Sequence, residues 1–133
     1  MKIKDLTPYV YLKKKELEDA VAVGWIEGDD LLRNSGKVPT EVIRLLKKYE
    51  IKNHCKGFHS CEYCSDWGTT RATGNGEIWV VKNDTLYIAP YLIIHYIEEH
   101  SYRPPEEFID AVLNGFRPNS PGYIMRLNKI LNV

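Results

Sequence analysis

The clearest hydrophobic periodicity runs over residues 39–49, where Val42, Leu45, Leu46 and Tyr49 recur at i, i+3, i+4 and i+7. That spacing predicts one buried helix face. Pro39 suits the first helical position, and Arg44, Lys47 and Lys48 place positive charge on the outer face and near the C-terminus, where the helix dipole favours it. Further on, EIWVVK and TLYIA, joined by Asn83-Asp84, predict a β-hairpin. Its second arm sends Leu86 and Ile88 to one face and Tyr87 and Ala89 to the other, because strand side chains alternate.

Pro90 can open the next helix, APYLIIHYIEEH, with Ile93, Tyr96, Ile97 and His100 on one side. Pro104 and Pro105 stop it and start another, with Glu106 and Glu107 in the first turn and Phe108, Ile109, Val112 and Leu113 as the buried stripe. Gly115 ends that helix, and Ser120 before Pro121 caps a last one with Leu127, Ile130 and Leu131 inward. Upstream, VAVGWI at residues 21–26 reads as a short strand closed by Glu27-Gly28-Asp29, and a helix over 13–20 is weakly signalled. Residues 51–76 carry no period and read as irregular. The expected class is α+β: a small antiparallel β element surrounded by several short helices.

Length and composition narrow the setting. With 133 residues the chain is expected to form a single domain, residues 1–133, with a core of its own. Eighteen basic residues balance eighteen acidic ones, which removes the simplest electrostatic case for nucleic acid or a membrane surface. From Glu77 to Asp110 seven acidic residues face only Lys82 and Arg103, so this section does not suit a phosphate backbone. The charged N-terminal stretch lacks the apolar run of a signal peptide, and YIAPYLII is too short to span a bilayer. The expectation is a cytoplasmic protein, in which three cysteines point to metal or thiol chemistry instead of a disulfide framework.

FHSCEYC, residues 58–64, concentrates that chemistry. Cys61 and Cys64 form C-x-x-C, a spacing that lets one tight turn aim two thiolates at one zinc ion. The same motif serves redox enzymes, but there it sits between a strand and the start of a helix; here a polar loop and a hairpin flank it. The other ligands must come from His54, His59, His95 and His100. His95 and His100 form H-x4-H near the end of a helix. Five positions turn about 500°, leaving the side chains roughly 140° apart on an ideal helix, so they converge only if the last turn loosens. The Ser-Tyr-Arg-Pro-Pro that follows makes such loosening reasonable. The expected centre is Cys61, Cys64, His95 and His100 with one zinc ion per chain: a knuckle, then a hairpin, then a helix, as in zinc-finger and treble-clef layouts. His59 is the alternative ligand or a hydrogen-bonding neighbour of a thiolate. His54 and Cys55 could approach, but nothing in the sequence holds them there.

The stretches VAVGWIEGDD, VPTEVIRLL, GFHSCEYC, GNGEIWV, YIAPYLIIHYIEEHSYRPPEEFIDAV and SPGYIMRL together resemble a family of small bacterial proteins with no established activity. The resemblance covers nearly the whole chain from residue 21. It includes an H-x-C-x-x-C stretch and a later H-Y-x-x-x-H-x-Y-x-P-P stretch, and so implies His59, Cys61, Cys64, His95 and His100, with Tyr96, Tyr102, Pro104 and Pro105 beside them. The GTTRATG stretch fits that pattern less clearly.

Two functional classes follow. Four protein ligands close a zinc site, which then acts as scaffold. Glu98 and Glu99 lie between the histidines, but the spacing is neither H-E-x-x-H nor the deaminase pattern. A zinc-stabilised binding or accessory protein, regulatory or immunity-type and acting on another protein, is therefore the first expectation. Tyr9, Tyr11, Tyr63, Trp67 and Tyr102 are candidate contact residues for it. The alternative is a small metal-dependent hydrolase or nuclease, in which three ligands and a water hold the ion, His59 or Glu62 serves as base, and Arg71 in the Gly-rich loop receives a phosphate.

Overall fold

The computed structural model describes residues 5–8, 20–52, 59–64, 73–74 and 76–131. The α+β class is borne out. Four strands pair in the order β1-β2-β6-β5: β1 (Thr7–Pro8), β2 (Val21–Ala22), β5 (Glu77–Lys82) and β6 (Thr85–Pro90). Two more, β3 (His59–Ser60) and β4 (Thr73–Gly74), form a separate two-stranded sheet. The helices are α1 (Asp30–Arg33), α2 (Thr40–Leu46), α3 (Ile93–His100), α4 (Glu106–Asn114) and α5 (Pro121–Leu131).

The predicted hairpin is the centre of the molecule. β5 and β6 pair antiparallel from Glu77↔Pro90 to Lys82↔Thr85, and Asn83 takes the left-handed conformation that the tight turn needs, at φ 54°. The main sheet is mixed, however. β2 joins β6 in parallel, Val21 beside Tyr87 and Ala22 beside Ile88, and the Val23 amide prolongs the ladder to the Ile88 carbonyl at 3.1 Å. Pairing β2 across the edge of β6 buries an arm whose Leu86 to Pro90 are all buried, so both faces of the alternation are core faces. On one of them Tyr87 meets Phe108 of α4 edge to face at 6.1 Å and its hydroxyl donates to Glu107 at 2.5 Å, while Lys82 pairs with Asp110.

Several local expectations are corrected. Pro90 closes β6 and α3 begins at Ile93, because Pro90 still pairs opposite Glu77 and the Tyr91 amide bonds back to the Gly76 carbonyl at 3.0 Å. Pro39 precedes the first turn of α2, with an extended ψ of 137°. In α4, Ala111 takes the buried place beside Phe108, Ile109 and Val112, and Leu113 is exposed. Residues 51–76, read as irregular, contain β3, β4 and a bridge between Lys52 and Glu77. The one-turn helix α1, which buries no residue, carries no period long enough to be read. The possible helix at 13–20 lies outside the described residues save Ala20, which is not helical. Among the described residues no helix is long and apolar enough to cross a membrane.

Candidate metal centre

Local backbone builds each half of the centre. β3 delivers the chain into a turn at Glu62-Tyr63, so Cys61 and Cys64 leave the same tight bend. The amides of Tyr63 and Cys64 donate to the Cys61 sulfur, which orients them toward a thiolate. Glu62 points away from the cysteines and accepts from the Gly28 amide at 3.1 Å, tying the bend to the segment before α1. The other half rides on α3. Its apolar face, Ile93, Ile94, Tyr96 and Ile97, is buried and fixes the helix on the core, leaving His95 and His100 directed at the bend.

The four predicted residues are brought together. One ligand atom from each of Cys61, Cys64, His95 and His100 lies within 4.8 Å of all the others, a group that can hold a metal ion. His100 Nε2 is 3.4 Å from the Cys61 sulfur and 3.7 Å from that of Cys64; His95 Nε2 is 3.3 Å from Cys64; the two Nε2 atoms are 3.2 Å apart. The angular gap expected for H-x4-H closes at the helix end. Ser101 is left-handed at φ 56°, and its amide reaches back five residues to the Tyr96 carbonyl, a wider closure than an α-turn. Tyr102 follows with a 3.0 Å bond to the same carbonyl.

The surroundings suit a cation. Cys61 is fully buried, while Cys64, His95 and His100 are half-buried. Burial pushes the Cys61 thiol above its usual value, outweighing the Tyr63 and Cys64 amides; a bound cation supplies the charge that keeps such a sulfur ionised. Burial, then the neighbouring His100, lower the His95 pKa, which favours the neutral imidazole that ligates. Tyr63 packs against His100 at 5.9 Å and Tyr96 at 6.0 Å, and Tyr96 against Tyr102 at 6.5 Å. A cleft of about 450 Å³ between Lys47, Tyr91, Ile94, Glu98 and Glu99 reaches His95.

The remaining candidates separate. His59 belongs to β3, and its side chain lies outside the described residues, as do His54, Cys55, Arg71, Tyr9, Tyr11 and Trp67. Glu98 pairs with Lys47 at 3.0 Å across α2 and α3, and Glu99 is exposed. Tyr102, read as a contact residue, is fully buried. The polar clamp beneath the centre had no signal in the sequence: Asp5 accepts from the Tyr102 hydroxyl at 2.7 Å and from the Gly24 amide at 2.8 Å. Its members are 97 and 19 residues apart in the chain, too far for any local pattern to join them.

The chain belongs to the family described as a domain of unknown function (DUF7919), whose model matches residues 1–113. No curated protein and no solved structure matches it.

Proposed function

Starting from a family that lends no activity, we propose that the chain is a small zinc-stabilised binding domain, in which a closed Cys2His2 centre acts as scaffold and the work is protein–protein contact in the cytoplasm. One observation carries the zinc assignment. In a tetrahedral site with Zn–S of about 2.3 Å and Zn–N of about 2.05 Å, sulfur and nitrogen ligands sit roughly 3.5 Å apart and two nitrogens about 3.3 Å apart. Three of the four S···N distances, 3.3, 3.4 and 3.7 Å, and the N···N distance of 3.2 Å match that pattern, and the remaining ligand pairs lie within 4.8 Å. Two sulfurs and two imidazoles are also a donor set that zinc prefers. They fill all four positions, which favours scaffold over the hydrolase or nuclease alternative, since a catalytic ion keeps one position for water.

The centre adds a ligand bridge between segments that already share the core through Cys61 and the Tyr63–Tyr96 contact. It fastens the 61–64 bend, which follows β3 of the small second sheet, to α3. Partner contact is then left to surfaces the fold does not use, such as the adjacent Ile124 and Met125 of α5, both exposed.

Metal analysis of the purified chain is expected to find about one zinc per chain, and X-ray absorption to find two sulfur and two nitrogen neighbours. A full set of ligands that includes a water oxygen would move the assignment to the hydrolase reading. Cys64→Ser should lower both zinc content and soluble yield; a variant that keeps its yield without metal removes the scaffold role. For the binding role, the immobilised zinc-loaded chain should retain a defined partner protein from its own cells and release it on chelation. Retention indifferent to zinc would separate the partner surface from the centre.

A further inference from the structure

The two thiols of the centre are not equivalent. Cys61 is fully buried, whereas Cys64 is partly exposed. Cys64 also lies 3.3 Å from His95, which lines the 450 Å³ cleft; of the two sulfurs, the partly exposed Cys64 is the one solvent reaches. Thiols susceptible to oxidation share three properties: thiolate character, access, and a second thiol placed to resolve the first product. Zinc confers the first on both cysteines. Exposure confers the second on Cys64. The third is Cys61, three residues away, with its sulfur within 4.8 Å of that of Cys64.

We propose, resting on the zinc assignment above, that Cys64 is a peroxide-oxidisable site with Cys61 as its resolving thiol, so that oxidation closes a Cys61–Cys64 disulfide and releases the ion. The Cys64 thiolate attacks one peroxide oxygen, the O–O bond breaks, and hydroxide leaves, giving the sulfenic acid. The Cys61 thiolate then attacks the Cys64 sulfur, the S–O bond breaks, and a second hydroxide leaves. Two protons convert both hydroxides to water, and hydrogen peroxide takes up the two electrons that the sulfurs lose. The new bond of about 2.05 Å draws both sulfurs out of the tetrahedron. Two imidazoles alone hold zinc weakly, and the ion passes to solvent.

The fold limits the consequence to the centre. α3 keeps its own apolar contacts through Ile93, Ile94, Tyr96 and Ile97, and the disulfide closes within a four-residue bend, so neither element must unfold. What is lost is the ligand bridge between bend and helix; the Tyr63 ring against Tyr96, the buried Cys61 and the Glu62 to Gly28 hydrogen bond still hold the bend. The centre is thereby a reversible fastener under redox control.

The test uses the full zinc-loaded chain carrying Cys55→Ser, so that the third cysteine takes no part. Zinc content is measured first; a chain that binds no zinc overturns the scaffold assignment and this proposal together. With zinc bound, hydrogen peroxide is added in the presence of a chromogenic chelator, and the 61–64 peptide is read by mass spectrometry. One zinc should appear per disulfide formed, affinity should fall on the order of 100-fold or more, and thiol reductant with added zinc should restore the centre. A sulfenic-acid trap should label Cys64 ahead of Cys61. Cys64→His, which keeps four donors but no second thiol, should hold its zinc through the same dose; if that variant fails to load, the order of trapping decides. Zinc retained after peroxide, zinc lost with both thiols still reduced, or trapping at Cys61 first each overturns the proposal while leaving the scaffold assignment standing.

Discussion

The Nε2 atoms of His95 and His100 lie 3.2 Å apart although five helical positions separate their backbones. Both rings use the distal nitrogen, which adds reach, and the left-handed Ser101 lets the helix end widen under His100. Two imidazoles held this close, edge to face at 4.9 Å between centroids, gain from a cation between them.

That arrangement predicts a spectroscopic outcome. Cobalt loaded into the proposed centre should give the intense visible bands of a tetrahedral S2N2 site. His95→Ala and His100→Ala should each lose those bands and weaken metal binding by more than the roughly 10–100-fold that loss of an outer-shell partner costs. His95→Cys, which restores a soft donor, should recover binding with a shifted spectrum. Indifference of the spectrum to both alanine variants would remove the histidines from the centre.

Asp5 predicts an unusual pH dependence. Burial raises its pKa above 3.8, outweighing the bonds from the Gly24 amide and the Tyr102 hydroxyl, with Asp30 adding repulsion. The folded chain therefore binds the Asp5 proton more tightly than the unfolded chain does. Stability from this group is present at low pH and is lost as pH rises from about 3.8 through the raised folded value. Asp5→Asn should remove that loss, so that the stability difference between variant and wild type grows in favour of the variant over this window and then levels off. Urea unfolding from pH 3.5 to 7 measures it; a constant difference would contradict the assignment. Tyr102→Phe, which leaves the part-buried Asp5 carboxylate with the Gly24 amide alone, should cost about 1–3 kcal/mol at neutral pH.

Gly24 predicts a paired rescue. Its φ of +83° disfavours any side chain, and an added Cβ would sit 2.8 Å from Ile93 Cδ1. Gly24→Ala should lose roughly 2–3 kcal/mol from backbone strain and overpacking together. Adding Ile93→Val, which deletes that methyl but keeps Cγ1 at 3.0 Å, should return part of the packing cost and leave the strain. Thermal or urea unfolding of the two variants reads both terms, and a double variant no more stable than Gly24→Ala would place the whole cost in the backbone.

The C-terminal helix predicts that the matched region does not fold alone. The family match ends at residue 113, yet Tyr123 and Leu127 of α5 are buried and the Tyr123 hydroxyl donates to the Trp79 carbonyl at 2.7 Å. Tyr123→Phe should cost about 1 kcal/mol. Truncation after residue 114 uncovers the apolar surface beneath both side chains and should give an insoluble or molten chain, judged by lost near-ultraviolet circular dichroism. A soluble truncated chain with native signals would make α5 an accessory.

The sequence by itself determined the pieces whose logic is local. Helix faces on α2 and α3, most of that on α4 (Leu113 excepted), the β5–β6 hairpin and the C-x-x-C bend were legible, as were the four residues that the fold brings together, because periodicity, turn chemistry and ligand spacing act within a few residues. It also left three matters open that only the tertiary structure decided. Whether H-x4-H could converge depended on Ser101 adopting a left-handed conformation and on a bend 31 to 39 residues away arriving at the same place. Whether Tyr102 was a contact residue or core depended on Asp5, nearly the whole chain away. The parallel pairing of β2 beside β6 likewise joins residues 66 positions apart, Val21 with Tyr87. Such relationships are set by the shared burial of distant segments against one core, a free energy that no window of the sequence contains.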